Sequence, residues 1–307
     1  MIIVYIVEKG LLEQQAVLLQ KSINRFHRSA SDVTAVACCV REAYQPSVST
    51  IKSIENLGGK YVYQNLNTRH DYFPLCNGIY AASEIETQTS EDILLVDTDT
   101  VFVNPLDARW LHKYPVVVRP VDNKGIGSAG DEDPADGYWQ QSFGLFGLPA
   151  PVANMTTTVD QQLIRPYYNS GFVFARHELG FFTQWKKTFE RLMDSEVRTD
   201  SGSSRHQVNY GFNEQMSISI VLQQLKTEPL IPPITINYPL PFRPRFKKQG
   251  ASDPAASDLI HVHYHRWFQH PDFIGHVFDQ EEQKLPSISW LASELPFYPT
   301  ISGPQKC

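Results

Sequence analysis

The chain has 307 residues, is 42% hydrophobic and carries a formal net charge of -6, which is ample apolar material for a continuous core and excludes a disordered chain as the default. That acidic balance also argues against nucleic acid or an anionic membrane surface as a partner, since both collect Lys and Arg. No run of about 18 apolar residues is present to span a bilayer, Met1 to Val7 is too short for a signal-peptide core, and the four cysteines show neither metal-ligand spacing nor a secreted disulfide framework. The chain therefore reads as soluble, reduced and cytoplasmic, with no transmembrane segment.

Ile2 to Val7 is a β-branched and aromatic run, read as a buried strand that Glu8-Lys9-Gly10 turns. Leu12, Ala16, Leu19, Ile23 and Phe26 recur by four and three, which predicts an amphipathic helix with Glu13, Gln20 and Lys21 facing outward. A second buried strand is expected over 33–40. Pro46 then opens a helix carrying Val48, Ile51, Ile54 and Leu57, which ends at Gly58-Gly59, and Tyr61 to Tyr63 makes a third strand. Strand, helix, strand, helix, strand is the signature of right-handed βαβ units and a parallel sheet. The half 1–118 is thus Rossmann-like. No Gly-x-Gly-x-x-Gly follows the first strand and no Walker lysine motif exists, so phosphate charge must be handled by other means.

A helix over 75–88 leads into Ile93-Leu94-Leu95-Val96, four apolar residues without interruption, as expected of a strand buried on both faces. Asp97 and Asp99 follow at once. In open α/β sheets the carboxyl ends of the strands are where ligands bind, and two carboxylates one residue apart can both reach a hard divalent cation. Asp131-Glu132-Asp133 has the same short pattern, but it lies among Gly127, Gly130, Pro134 and Gly137 with no strand before it, and reads as a solvated loop. Pro115 to Val118 supplies a further strand.

Residues 122–137 are rich in Gly, Asp and Pro without apolar periodicity and are expected to form a mobile surface loop, either a lid or an idle excursion. Residues 198–211 form a second polar loop with the same ambiguity. Between them, Tyr168-Asn169-Ser170-Gly171 enters an apolar strand, and its small and amide residues let a ligand approach the backbone. A helix with the core stripe Phe182, Trp185, Phe189 and Leu192 follows. Asn213 is read as the N-cap of another helix, carrying Glu214, Met216, Ile220 and Leu225. Seven prolines crowd 229–254, which predicts an extended wrap and no helix. The wrap ends in Leu259 to Trp267, where strand alternation would set His261, His263 and His265 on one face. A lone buried His is more often structural, but three alternating ones beside paired carboxylates favour a metal role.

Taken in order, these motifs resemble the GT-A-fold glycosyltransferases of the glycogenin and lipopolysaccharide galactosyltransferase type. The likeness rests on Cys76-Asn77-Gly78 to Ala82 for an Asn-Lys helix, and on Leu94 to Asp99 for the apolar strand and Asp-x-Asp. It continues through Tyr168-Asn169-Ser170-Gly171 for Phe-Asn-Ser-Gly, Asn213-Glu214-Gln215 for an Asp-Gln helix, and Ile236-Asn237-Tyr238 for a Tyr-Asn segment. His261 to His265 stand for the terminal metal-binding His. Gly78 replaces the usual Lys, Glu214 the usual Asp, and the closing motif is shortened to His263-Tyr264-His265-Arg266-Trp267.

The resemblance implies a single mixed α/β domain of GT-A type over 1–307, with a mainly parallel central sheet flanked by helices, a nucleotide-binding half 1–118 and an acceptor and metal-completing half 119–307. It implies a metal-dependent glycosyltransferase, a hexosyltransferase, that moves a sugar from a nucleotide diphosphate sugar to a carbohydrate or other hydroxyl acceptor. The favoured donor is a uridine diphosphate sugar. Mn²⁺ or Mg²⁺ would be held by Asp97, Asp99 and His263, with His261 in reserve. Val7, Asn77, Asp97, Gly171 and Arg266 would bind the donor, Arg266 standing in for the missing lysine. Asn169 and Glu214 would face the sugar, Glu214 as base or as stabiliser of an oxocarbenium-like centre. Glu214 could instead be a helix-start charge favoured by the helix dipole, the lesser alternative. A sugar-phosphate nucleotidyltransferase and a catalytically inactive nucleotide-sugar-binding protein are the alternatives. The first would show a Gly-rich basic loop after strand one, which residues Val7 to Leu12 lack.

Overall fold

The structure is a computed structural model that describes residues 1–27, 33–197, 212–249 and 253–301. The expected loop at 198–211 lies outside the described residues. In chain order the strands are β1 (Ile2–Ile6), β2 (Thr34–Cys39), β3 (Lys60–Tyr63), β4 (Ile93–Val96), β5 (Thr100–Phe102), β6 (Val116–Pro120), β7 (Met155–Thr156), β8 (Leu163–Ile164), β9 (Tyr168–Ala175), β10 (Tyr238–Pro239) and β11 (His261–His263). The helices are α1 (Leu11–His27), α2 (Val48–Asn56), α3 (Asn77–Gln88), α4 (Ala108–Leu111), α5 (Asp136–Gly144), α6 (Phe181–Asp194), α7 (Asn213–Gln224), α8 (Arg243–Gln249), α9 (Phe273–Val277) and α10 (Pro286–Ser293). The class is mixed α/β with a mainly parallel central sheet, as expected. Among the described residues no helix is long and apolar enough to cross a membrane.

The chain forms two compact units. The first takes 1–68, 95–109 and 232–307, and the second 69–94 and 110–231. In the first unit β1 pairs parallel with β2, Val4 opposite Val36, and β2 pairs parallel with β3, Val36 opposite Lys60. α1 buries Ala16, Leu18, Leu19 and Ile23, and each full-size apolar side chain removed from water there contributes about 1.5–3 kcal/mol. Gln20 departs from its expected outward position. It is buried, with Oε1 accepting from the Tyr5 hydroxyl at 2.7 Å and Nε2 donating to the Leu57 carbonyl at 3.3 Å, because α1 is covered on two sides and an amide can satisfy both neighbours. α2 starts at the Ser47 cap, whose Oγ accepts from Thr50 N, and stops where Gly58 takes φ +85°, the left-handed turn that glycine adopts without strain.

A second sheet in this unit orders β10-β11-β5. β11 runs antiparallel to β5, with Val262 opposite Val101 and His263 opposite Thr100. The proline-rich stretch is not wholly extended, since α8 forms within it. Pro244 follows the first residue of that helix, in the opening turn where a missing N–H costs nothing.

The second unit holds β6 and β9, which pair antiparallel with a register shift. Val118 faces Val173 and Pro120 faces Tyr168, so Asn169 to Phe172 stand opposite the single residue Arg119. Such a bulge re-aims side chains locally. A core of Trp139, Phe143, Leu192, Met216 and Ile220 joins α5, α6 and α7 to Tyr167, the residue that leads into β9. Residues 122–137 are not the loose surface loop their composition predicts. Arg165, 4% exposed, donates from Nε to Asp136 Oδ1 at 2.7 Å and from its backbone N to the Ser128 carbonyl at 2.7 Å. Trp139 Nε1 donates to the Ile126 carbonyl at 2.9 Å. A partner about 30 residues away supplies the anchorage, which local composition cannot reveal. The second acidic triplet is solvated only in part: the Asp131 side chain is 92% exposed, whereas that of Asp133 is 6% exposed and tied down. Asp133 accepts from Ala129 N and Ala135 N and pairs with Lys124.

Candidate active site

In the first unit the link from β4 to β5 keeps a two-residue alternation. Thr98 and Thr100 are buried while Asp97 and Asp99 are half-buried, and this alternation is carried by a turn, since Thr98 and Asp99 lie between the strands and not in one. The threonines fix the link: Thr98 Oγ1 donates to the Ile6 carbonyl at 2.6 Å, at the carboxyl end of β1, and Thr100 Oγ1 donates to the Asp97 carbonyl at 2.6 Å. Tyr264 N donates to the Asp99 carbonyl at 3.1 Å, which seats the end of β11 against the same link. Local sequence delivers the two carboxylates, and the β5–β11 pairing delivers the histidines.

His263 Nε2 lies 3.1 Å from Asp99 Oδ1 and 4.0 Å from Asp97 Oδ2. His265 Nδ1 lies 3.8 Å from Asp99 Oδ2, and the two imidazole rings are 4.0 Å apart. One ligand atom each from Asp99, His263 and His265 can be chosen so that all lie within 4.8 Å of one another. A carboxylate oxygen and imidazole nitrogens converging at this spacing fit a divalent ion. Asp97 stands beside the trio.

The electrostatics of the two aspartates diverge. Asp97 is pushed up to about 6, by desolvation first and then by the charge of Asp99, with His263 opposing; its half-open side chain moderates the first effect. Asp99 is desolvated too, yet the His263 ring, hydrogen bonds from His263 and His265, and the His265 charge hold it well below the usual carboxylate range. One carboxylate thus stays anionic while its neighbour resists ionising, the arrangement that an added cation relieves.

The remaining expected residues fall in two places. In the first unit Val7 is buried at the end of β1, its N donating to the Cys38 carbonyl at 2.9 Å, and Arg266 is exposed directly after His265. His261 is buried away from the trio, its ring 4.7 Å from that of Phe102, which in turn lies 4.7 Å from His27. Burial holds His261 well below its ordinary range. In the second unit Asn77 is the buried first residue of α3, and Asn169 Oδ1 accepts from Gly171 N at 2.7 Å inside the bulge. Glu214 is buried in the first turn of α7, its carbonyl accepting from Trp185 Nε1 at 3.0 Å. Burial first, and then the charge of Glu214, holds the Tyr167 phenol far above its usual range.

Asn213 is not an N-cap. It is the first helical residue, and its buried Oδ1 accepts from the Tyr138 hydroxyl at 2.5 Å, a tertiary partner taking the atom that a cap would use. No sequence motif marks Thr98 and Thr100; their only signal is the Asp-Thr-Asp-Thr repeat itself. Strand alternation carried on past the end of β11 puts His265 on the face of His261 and His263, and the expected metal set leaves it out in favour of His261, whereas the structure brings His265 to Asp99. The strand ends at His263, and His265 takes φ +53°.

The family model described as Rhodobacterales glycosyltransferase domain matches residues 3–226. No curated protein matches the chain. Among solved structures, the WbbM bifunctional glycosyltransferase in its apo form is similar over 95% of this chain at 12% identity and a TM-score of 0.51. This chain spans 51% of that protein's length, about half, and the likeness is one of fold. The galactosyltransferase LgtC, in complex with donor and acceptor sugar analogues, aligns over 97% of this chain and 98% of its own, at 17% identity and a TM-score of 0.49. Mouse xyloside xylosyltransferase 1 aligns over 85% of this chain and 96% of its own at 12% identity and a TM-score of 0.44.

Proposed function

The chain belongs to the Rhodobacterales glycosyltransferase domain family and is a glycosyltransferase, and from that premise we propose that it transfers a sugar, a hexose, from a nucleotide diphosphate sugar to a hydroxyl of a carbohydrate acceptor, using a divalent cation held by Asp99 and His263. The observation that carries the reading is the 3.1 Å approach of His263 to Asp99, at the carboxyl end of a buried strand and from a residue 164 positions away. When bound, Mn²⁺ or Mg²⁺ would neutralise the charge that develops on the diphosphate as it leaves.

The chain's own residues prepare that site. Asp99, held anionic in the metal-free centre by the charge of its histidine neighbours, would supply the negative charge, and His263 would supply a nitrogen ligand once the ion displaces its proton. Asp97, with its raised affinity for a proton, is suited to hydrogen-bond the ribose or a water of the hydrated ion. Exposed Arg266 would offer a cation to the diphosphate in place of the lysine that the motif resemblance implies. Thr98 and Thr100 keep the link rigid, so that the carboxylates need not reorganise on binding. By the motif match, Asn77, Gly171 and the Val7 backbone are assigned to the donor, and Asn169 and Glu214 to its sugar. We favour a uridine diphosphate sugar and a cytoplasmic reaction.

Calorimetric titration of a panel of nucleoside diphosphates and their sugars, with and without Mn²⁺, tests the proposal. Mn²⁺-dependent binding of one donor followed by turnover on a saccharide supports it. A donor bound and hydrolysed equally well in a chelator removes the cation from the account, and binding without transfer to any hydroxyl acceptor leaves a sugar-nucleotide-binding protein.

A further inference from the structure

The sequence makes His265 an alternating strand residue, whereas the structure gives it a different route to the same place. β11 stops at His263, the Tyr264 ring is buried and stacked at 3.6 Å on Phe268, and His265 adopts φ +53°. That left-handed conformation suits glycine and strains a residue with a β-carbon. Gln15 Nε2 reaches the His265 carbonyl at 3.5 Å. The consequence of the turn is that the His265 imidazole returns to Asp99, 3.8 Å from Nδ1 to Oδ2, with its ring 4.0 Å from that of His263. Backbone strain kept at a non-glycine residue, at a point where it aims a side chain into a ligand set, is the pattern of a functional constraint.

We infer that His265 is a second imidazole ligand of the Asp99 and His263 centre, and that the resulting two-nitrogen set selects a transition-series divalent ion over Mg²⁺. The inference rests on the metal-dependent reading above and specifies its chemistry. Mg²⁺ demands oxygen ligands in near-octahedral order and sheds water reluctantly. Imidazole nitrogen favours the later ions of the series. A site with one carboxylate and two nitrogens therefore takes Co²⁺ far better than Mg²⁺, with Mn²⁺, the first of the series, between them. Asp97, outside the trio, does not restore an all-oxygen set.

The test uses the full chain and the metals alone, without substrate. Co²⁺ and Mn²⁺ are titrated against a chromophoric chelator, Mg²⁺ is added as competitor, and the visible absorption of the Co²⁺ form is recorded. The variants are H263A and H265G; glycine adopts the turn freely, so the second removes the imidazole without straining the backbone. Expected are a Co²⁺ affinity at least about tenfold above that for Mg²⁺ and a Mn²⁺ affinity between the two. H265G should lose at least about tenfold in Co²⁺ affinity, no less than the loss of an outer-shell partner costs. The Co²⁺ spectrum should change, and the melting temperature should be unchanged or higher. If H263A loses the metal and H265G keeps both affinity and spectrum, His265 is not a ligand and this inference fails while the proposed function stands. Mg²⁺ competing on equal terms overturns the selectivity in the same way. A wild-type chain that takes up neither Co²⁺ nor Mn²⁺ overturns the inference and the metal-dependent reading together.

Discussion

Asp136 tests whether residues 122–137 are held by tertiary structure. Asp136 is 5% exposed and Arg165 4%, and the pair meets at 2.7 Å, with Ser128 Oγ and, at 3.1 Å, Gln140 Nε2 also donating to the carboxylate. Breaking a buried pair while its partner stays charged costs about 3–5 kcal/mol. Asn keeps the volume and one acceptor, and Arg165 keeps the Pro151 carbonyl and Asp131. Asp131 is 92% exposed, so its pairing offsets little, about 0–1 kcal/mol. Asp136→Asn is accordingly expected to cost about 3 kcal/mol in urea unfolding at pH 7.

The pH profile carries the sign. Desolvation alone would raise the Asp136 carboxyl, but Arg165, Ser128 and Gln140 hold it below the usual range. A lowered folded value means stabilisation that is complete above the unfolded value, about 3.9, and lost as pH falls through the folded one. The gap between wild type and variant should be flat from pH 7 to about 5 and close below about 4. A gap under about 1 kcal/mol, or one that persists unchanged at pH 3, would refute the claim that this pair anchors the segment.

Other outcomes follow from the same geometry. His27, 6% exposed, is pushed down to about 4 by burial, so the unfolded chain binds a proton that the folded chain refuses between about 6.5 and 4, and stability falls with pH across that window by up to about 3 kcal/mol. His27→Phe should flatten that slope in urea midpoints, and parallel profiles would show that His27 is not the group. Glu214→Gln keeps volume and removes charge. With a role at the sugar it should lower kcat by about 100-fold or more with nucleotide affinity nearly intact, whereas wild-type turnover would leave Glu214 a helix-start residue.

What the sequence made legible was local. Ile93 to Val96 is buried at all four positions, and the helices announced by Ile23, Ile54 and Trp185 are present, because period and breaker residues act over a few positions. The joining of Asp99 to His263 depends on β5 pairing with β11 across some 160 residues, and nothing in either three-residue strand names its partner. His261 shows the limit from the other side. Alternation put it on the face of His263, but β11 is only three residues long, and His261 ends against Phe102, inside the packing rather than at the strand's open end. α5 is hidden because it begins inside the Gly- and Asp-rich stretch, at a buried carboxylate held by Arg165, although Trp139 and Phe143, four apart, mark its buried face. Gln20 was misplaced for the related reason that polarity predicts exposure only where no buried partner waits.

The central claim is that Asp99 and His263 hold the cation on which donor binding depends. Calorimetric titration of uridine diphosphate into wild type and Asp99→Asn, each with and without Mn²⁺, tests it most directly. The account predicts that Mn²⁺ tightens binding to wild type by at least about tenfold, 1.4 kcal/mol or more. In Asp99→Asn that gain should disappear, while the unfolding transition is retained. Equal affinities with and without Mn²⁺ in wild type, or a Mn²⁺ gain that survives Asp99→Asn intact, would contradict it.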